Sequence, residues 1–264
     1  MAGVPVDKSR VREALERNGA RTVALLRSVT APERTAIGFW TTADVGTHLA
    51  QNIAAAVELL RGETSPIARV QDMNPHWNEL VAGQADKDPS TSAASLEASM
   101  AEYLRLLDEK TPGEIVTWHA GIDVPVEVLA CISLSELLLH GFDIAKAEAQ
   151  PWEVGKDDAA LSIAGLSYML PYYVNEEAAR GKDLRFRLQV RGGATFDLKF
   201  RGADLTIEPP LGSPDCKISA DPAAYLLVGY GRIGRAGPIL TGKIVSYGRK
   251  PWLGLTLTKL IANP

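Results

Sequence analysis

Apolar residues recur at three- to four-residue intervals between about Asp7 and Ser28, at Val11, Leu15, Val23 and Leu26, and that period predicts an amphipathic helix. The pattern returns from Thr41 to Arg61, behind threonines suited to an N-cap. A third helix is predicted for Ser95 to Lys110 (SLEASMAEYLRLLDEK), ended by Thr111-Pro112-Gly113, and a fourth for Val124 to Glu148, which Pro125 helps to start. Helices with one apolar stripe each must bury those stripes against one another, so the first half is predicted to be an all-α four-helix bundle. Gly62 to Ser92, with Pro66, Pro75 and Pro89, lacks a clean period. It reads as a long crossing connection with short helical pieces, a kind of segment that often rims a pocket.

Beyond Gln150-Pro151 the pattern changes. Asp157 to Ala179 is helical in period, is expected to be kinked or divided at Pro171, and is read as a bridge between the halves. Leu184, Phe186, Leu188 and Val190 then alternate with polar residues, Gly192-Gly193 makes a turn, and Ala194, Phe196, Leu198 and Phe200 alternate again. This predicts a hairpin with one wet face. Strands near Asp204 to Glu208, Cys216 to Ser219 and Lys243 to Tyr247, a helix after Asp221-Pro222 and a final apolar helix complete an α+β module. The chain is therefore predicted to be multidomain, with a helical domain at 1–150 and an α+β domain at 151–264.

Composition agrees with that division. The 264 residues are 46% hydrophobic and 23% charged, enough for two modest globular domains. No uninterrupted run of 18 apolar residues occurs, and the start MAGVPVDKSRVREALERNG has neither the apolar core nor the cleavage pattern of a signal peptide. A cytoplasmic protein without a membrane partner is expected, as a monomer or homodimer. Cys131 and Cys216 are expected to be reduced thiols, and Cys131, five residues before Glu136, reads as core rather than ligand. The net charge of −4 conceals an asymmetry: residues 181–264 hold 13 Lys and Arg against 6 Asp and Glu, and residues 1–180 hold 15 against 26. Such a basic half suits an anionic small molecule. Its cations are scattered through strands and turns without a binding motif, so no nucleic-acid partner is expected.

The candidate chemistry lies in three residues. Glu136 and His140 are four apart, one turn above each other on a helix, and His48 lies on a second amphipathic helix that can pack opposite. A histidine in an apolar helix is more often a core or surface residue than a ligand. Here, however, Glu136 and His140 interrupt the apolar run Val126, Val128, Leu129, Ile132, Leu134, Leu137, Leu138, Leu139, where an uncompensated carboxylate costs several kcal/mol. A divalent metal would remove that penalty. Two imidazoles and a carboxylate with an open position suit zinc first, with nickel, iron and manganese as alternatives. Asp44 and Asp143 are within reach of the metal face as hydrogen-bonding partners or bases, although Asp44 equally suits a helix N-terminus. His76 and His119 are expected to be exposed or structural. The run Gly229-Tyr230-Gly231-Arg232-Ile233-Gly234-Arg235 lacks phosphate-loop spacing; an arginine there could hold a carboxylate, or the run could be a solvated helix end.

The runs FWTTADVGTHLAQN and SLSELLLHGFDIAKA resemble the two metal-binding segments of the mycothiol-dependent maleylpyruvate isomerase family, whose N-terminal domain is a DinB-like four-helix bundle. The stretch DCKISADPAAYLLVGYGRIGRAGPILTGKIVSYGRK resembles the sterol-carrier-like domain that accompanies it. On this resemblance His48, Glu136 and His140 fall on the metal ligands, and the open metal position takes the sulfur of mycothiol. The implied activity is cis–trans isomerisation or sulfur transfer with an electrophilic or anionic small molecule. Arg232 is the nearest match to a catalytic arginine of the second domain, with Arg235 as a competitor. Two other readings stand beside this one: a lipid or small-ligand binding protein, and a metal-assisted hydrolase that needs no thiol.

Overall fold

The side chain of Asp7 accepts the backbone N–H groups of Ser9 and Arg10, and this cap starts α1 (Lys8–Arg27). A small hairpin, β1 (Thr35–Ile37) and β2 (Trp40–Thr41), leads into α2 (Thr42–Leu60). There Thr41 and Asp44 form a reciprocal capping box. After a 3-10 turn come α3 (Met73–Gly83) and α4 (Pro89–Glu109). A second hairpin, β3 (Ile115–Thr117) and β4 (Asp123–Pro125), then delivers the chain to α5 (Val126–Ala147). The computed structural model describes residues 3–262 and divides into two units. One is Asp7–Val154; the other runs from Gly155 onward and takes in the residues before Asp7.

In the helical unit α1 packs against α4 and α5, and α2 packs against the same two, so α1 and α2 lie across a diagonal. The expected bundle is present. Leu15, Leu26, Leu49, Ile53, Leu96, Leu107, Leu129, Leu134 and Leu137 are fully buried between the helices, each contributing roughly 1.5–3 kcal/mol by leaving water. α5 is long and apolar enough to cross a bilayer, but its residues are almost wholly buried as the core helix of the bundle. The third predicted helix starts six residues earlier than its apolar period indicates. Asp88 caps it and Pro89 occupies its first position, so the polar stretch PSTSAA is helical by its start signal and not by its stripe. The connection expected at 62–92 accordingly holds the 3-10 turn Val70–Asp72, α3 and the first turn of α4.

The second unit begins with α6 (Lys156–Leu166), a 3-10 turn at Leu170–Tyr173 and α7 (Glu176–Ala179), so the helical stretch is divided around Pro171. It continues through β5 (Asp183–Val190), β6 (Thr195–Arg201), β7 (Asp204–Glu208), β8 (Cys216–Ala220), α8 (Pro222–Gly229), α9 (Ala236–Leu240) and β9 (Ile244–Tyr247). The sheet order is β7-β6-β5-β8-β9, antiparallel except for the parallel pair β5 and β8. Gly192 turns the first hairpin at φ +77°, a conformation that disfavours a side chain. In place of one final apolar helix, the described residues hold a 3-10 turn at Pro251–Leu255 and a single helical turn, α10 (Leu257–Leu260).

The hairpin face expected to be wet is wet only in part. Asp197 is fully buried on it, and the cross-strand partner Arg187 donates to it from Nε at 2.8 Å and Nη2 at 3.1 Å. Arg185 adds a third guanidinium contact at 3.4 Å and pairs with Glu208. Alternation shows which side chains share a face, but not that two arginines will enclose the acid between them.

Candidate metal centre

Two helices bring the predicted ligands together. His48 stands in the second turn of α2, Glu136 and His140 stand one turn apart on α5, and α2 and α5 pack side by side. His48 Nε2 lies 3.2 Å and His140 Nε2 3.4 Å from the same Glu136 oxygen, Oε2. All three ligand atoms lie within 4.8 Å of one another. A tetrahedral ion with ligands at about 2.1 Å separates neighbouring ligand atoms by roughly 3.4 Å, and both measured edges match that value. His48 and His140 are buried, and Glu136 keeps 22% of its side-chain surface, so access to the cluster is through the carboxylate.

Asp143 completes the arrangement. Its Oδ2 lies 3.0 Å from His140 Nδ1, so that nitrogen donates to the carboxylate and Nε2 is left facing Glu136. A carboxylate behind a histidine is the usual way of fixing the tautomer and orientation of a metal ligand. The donor set, its spacing and this backing carboxylate all fit a divalent metal. Burial pushes the Glu136 carboxyl up, but the two imidazoles outweigh it and hold the group well below the usual carboxylate range. Burial likewise opposes charge on His140, yet Asp143 and Glu136 raise it to about 9. A cation is therefore favoured at this point, and a bound metal would replace the proton that His140 otherwise carries.

Asp44 does not belong to the centre. Its Oδ2 accepts the Thr41 backbone N–H at 2.9 Å and its Oδ1 pairs with Lys87 at 2.8 Å, so it serves the start of α2. The start of α2 also positions Trp40, the residue before the cap, whose ring centroid lies 4.9 Å from His48. Trp77 of α3 meets the same imidazole edge-on at 5.1 Å. The two indoles wall the cluster with apolar surface. Gly141, next to His140, has no room for a side chain, because a Cβ there would meet the Trp152 ring at 2.2 Å. The Arg21 guanidinium stacks over that ring, 3.7 Å from its centroid.

His119 is nearer the site than its sequence context suggested. It is buried on the 3-10 turn between β3 and β4, its ring 6.0 Å from Trp77 and its Nδ1 2.6 Å from Ser65 Oγ. Burial and, to a lesser degree, the charge of His76 lower its pKa to about 4, against a weaker upward pull from Glu136. His76 adjoins it on α3, half-buried. Cys131 is wholly buried on α5 and Cys216 is buried on β8, and both are free thiols. Arg232 follows the C-terminal end of α8, where Gly231 adopts φ +69°, and its Nη1 donates to the Tyr230 carbonyl at 3.0 Å.

Comparison with known proteins places this geometry in a lineage. The structure is similar to that of a mycothiol-dependent maleylpyruvate isomerase, at 15% identity and a TM-score of 0.57, over 91% of this chain and 93% of the other. A histidine-to-alanine variant of such an isomerase matches at 15% identity and a TM-score of 0.58, over the same shares of each chain. At that identity the likeness establishes the fold. No curated protein matches the sequence. Residues 12–145, which contain His48, Glu136, His140 and both indole walls, match the model of the mycothiol maleylpyruvate isomerase N-terminal domain, and the chain belongs to that family.

Proposed function

We propose that this protein is a metal-dependent enzyme that uses mycothiol to act on a small electrophilic substrate, by cis–trans isomerisation of the maleylpyruvate type or by sulfur transfer. The observation that carries the reading is the convergence of two buried imidazole nitrogens on one carboxylate oxygen, within the segment that matches the family. His48, Glu136 and His140 would hold the ion, with zinc the first choice for this donor set. When bound, it would lower the pKa of a thiol enough for the thiolate to be present at neutral pH.

The remaining roles fall to the protein's own groups. Asp143 keeps the Nδ1 proton of His140 in place, so the ligating nitrogen presents a lone pair. Trp40 and Trp77 exclude water from the imidazole of His48 and supply flat apolar walls for an unsaturated substrate. Arg232 is assigned as the catalytic guanidinium that steadies negative charge on the substrate, a role for which arginine is suited by its fixed fork of donors. Arg232 is the nearest match to the family's arginine in the segment after α8, and Arg235, in the same segment, is its competitor.

The test is elemental analysis alongside a mycothiol-dependent assay with maleylpyruvate. Wild type should carry about one metal per chain and turn over only with the thiol, while His48→Ala should lose both properties. Full metal content and turnover in His48→Ala would reject the site. Turnover of an ester without thiol would replace the isomerase reading with hydrolysis.

A further inference from the structure

A chain of short contacts holds His119. Ser65 Oγ accepts the Ile67 N–H at 3.1 Å and lies 2.6 Å from His119 Nδ1, while the Ala120 N–H donates to the Ile67 carbonyl at 2.8 Å. With one lone pair of Ser65 Oγ taken by the Ile67 N–H, we assign its hydroxyl as the donor to Nδ1, an assignment that leaves the ring proton on Nε2. The backbone after it is unusual. Ala120 lies at φ +57° and Gly121 at φ +67°, and left-handed backbone is uncommon for alanine. Two elements distant in sequence are thus clamped together to hold one imidazole against Trp77, the wall that His48 shares.

We propose that His119 is a binding residue of this pocket, donating a hydrogen bond from Nε2 to a carbonyl or carboxylate oxygen of the small molecule held beside His48, Glu136 and His140. The inference rests on the reading above that the centre takes a small molecule. A core histidine needs no clamp from a remote loop and no left-handed alanine behind it; a donor that must meet a ligand oxygen does. The depressed pKa agrees, since an uncharged ring keeps a fixed tautomer at neutral pH and adds no second cation to a site that already favours one.

The experiment uses the metal-loaded protein with maleate, a stable cis dicarboxylate, as the probe. Metal content is measured by elemental analysis, binding by indole fluorescence, and KM and kcat separately with maleylpyruvate. His119→Ala should retain its metal, bind maleate about 10- to 100-fold more weakly and raise KM more than it lowers kcat. His119→Gln, which keeps an N–H donor, should stay within about threefold of wild type, and Ser65→Ala should fall between the two because its tautomer is no longer fixed. Circular dichroism of all three variants verifies folding, and the milder two carry the test if His119→Ala does not fold. Equal maleate affinity in wild type and His119→Ala, a glutamine variant as weak as the alanine one, or a metal-loaded wild type that ignores maleate would each overturn the proposal. A wild type that holds no metal would instead reject the metal reading, and the same affinities on the metal-free chain would then decide the role of His119.

Discussion

Both units enclose a carboxylate between two cation-forming side chains, but they compensate it differently. In the sheet unit Asp197 lies between Arg187 and Arg185, whose guanidinium groups are charged at any working pH. In the helical unit Glu136 lies between His48 and His140, whose charge is optional. The first arrangement is closed: permanent cations satisfy the acid and leave nothing to exchange. The second can trade protons for a metal ion. An enclosed acid thus marks a site only when its partners can give up their charge, which separates two clusters that look alike as lists of charged residues.

Removing one partner from the closed cluster should have the largest effect on stability. Asp197→Ala leaves two guanidinium groups facing each other on the sheet, and urea unfolding should show a loss of about 3–5 kcal/mol with no change in metal content. An acid titration of stability sharpens the contrast next. The pKa of His119 falls from 6.5 in the unfolded chain to about 4 in the folded one, so the unfolded state takes up its proton first as pH drops. Its contribution is intact above pH 6.5 and is lost between 6.5 and 4, by at most about 3 kcal/mol. The stability difference between wild type and His119→Gln should change over that window and be flat above it. A difference that is flat throughout would show that the imidazole titrates normally.

Asp143→Asn tests the open cluster at one remove. Metal affinity, read by competition with a chelator, should weaken about 10- to 100-fold while the fold persists, because His140 loses the charge behind it. The smallest effect belongs to a residue outside both clusters. Thr41→Ala removes the α2 cap and should cost about 1 kcal/mol of stability, with the metal retained. Loss of metal in that variant would show that the start of α2 controls His48 more tightly than the capping box implies.

The sequence made the helices with strong start signals legible. Asp7, Thr41 and Pro125 mark α1, α2 and α5 to within two residues, because capping chemistry is local. The start of α4 was missed because PSTSAA carries no apolar stripe, although Asp88-Pro89 is itself a cap signal. Glu136 and His140 could be found from their spacing on one helix, and His48 from its amphipathic stretch. His119 could not be found in this way. Its placement depends on a hairpin turn and on Ser65, 54 residues away, and periodicity is silent about such contacts. The enclosure of Asp197 was hidden for the same reason: strand alternation assigns a face and says nothing of the pairing across it.

The diagonal placement of α1 and α2 bears on the order of events during folding. Consecutive helices that packed on each other could form an early hairpin, but here each waits for α4 and α5, so the bundle closes through distant contacts. His48 and Glu136, 88 residues apart, meet only when that closure is nearly complete. An unfolded chain offers an incoming ion no more than the single-turn pair Glu136 and His140. Metal uptake should therefore lag behind the recovery of helicity in a stopped-flow refolding trace, which would make the centre a timer for the last step of assembly.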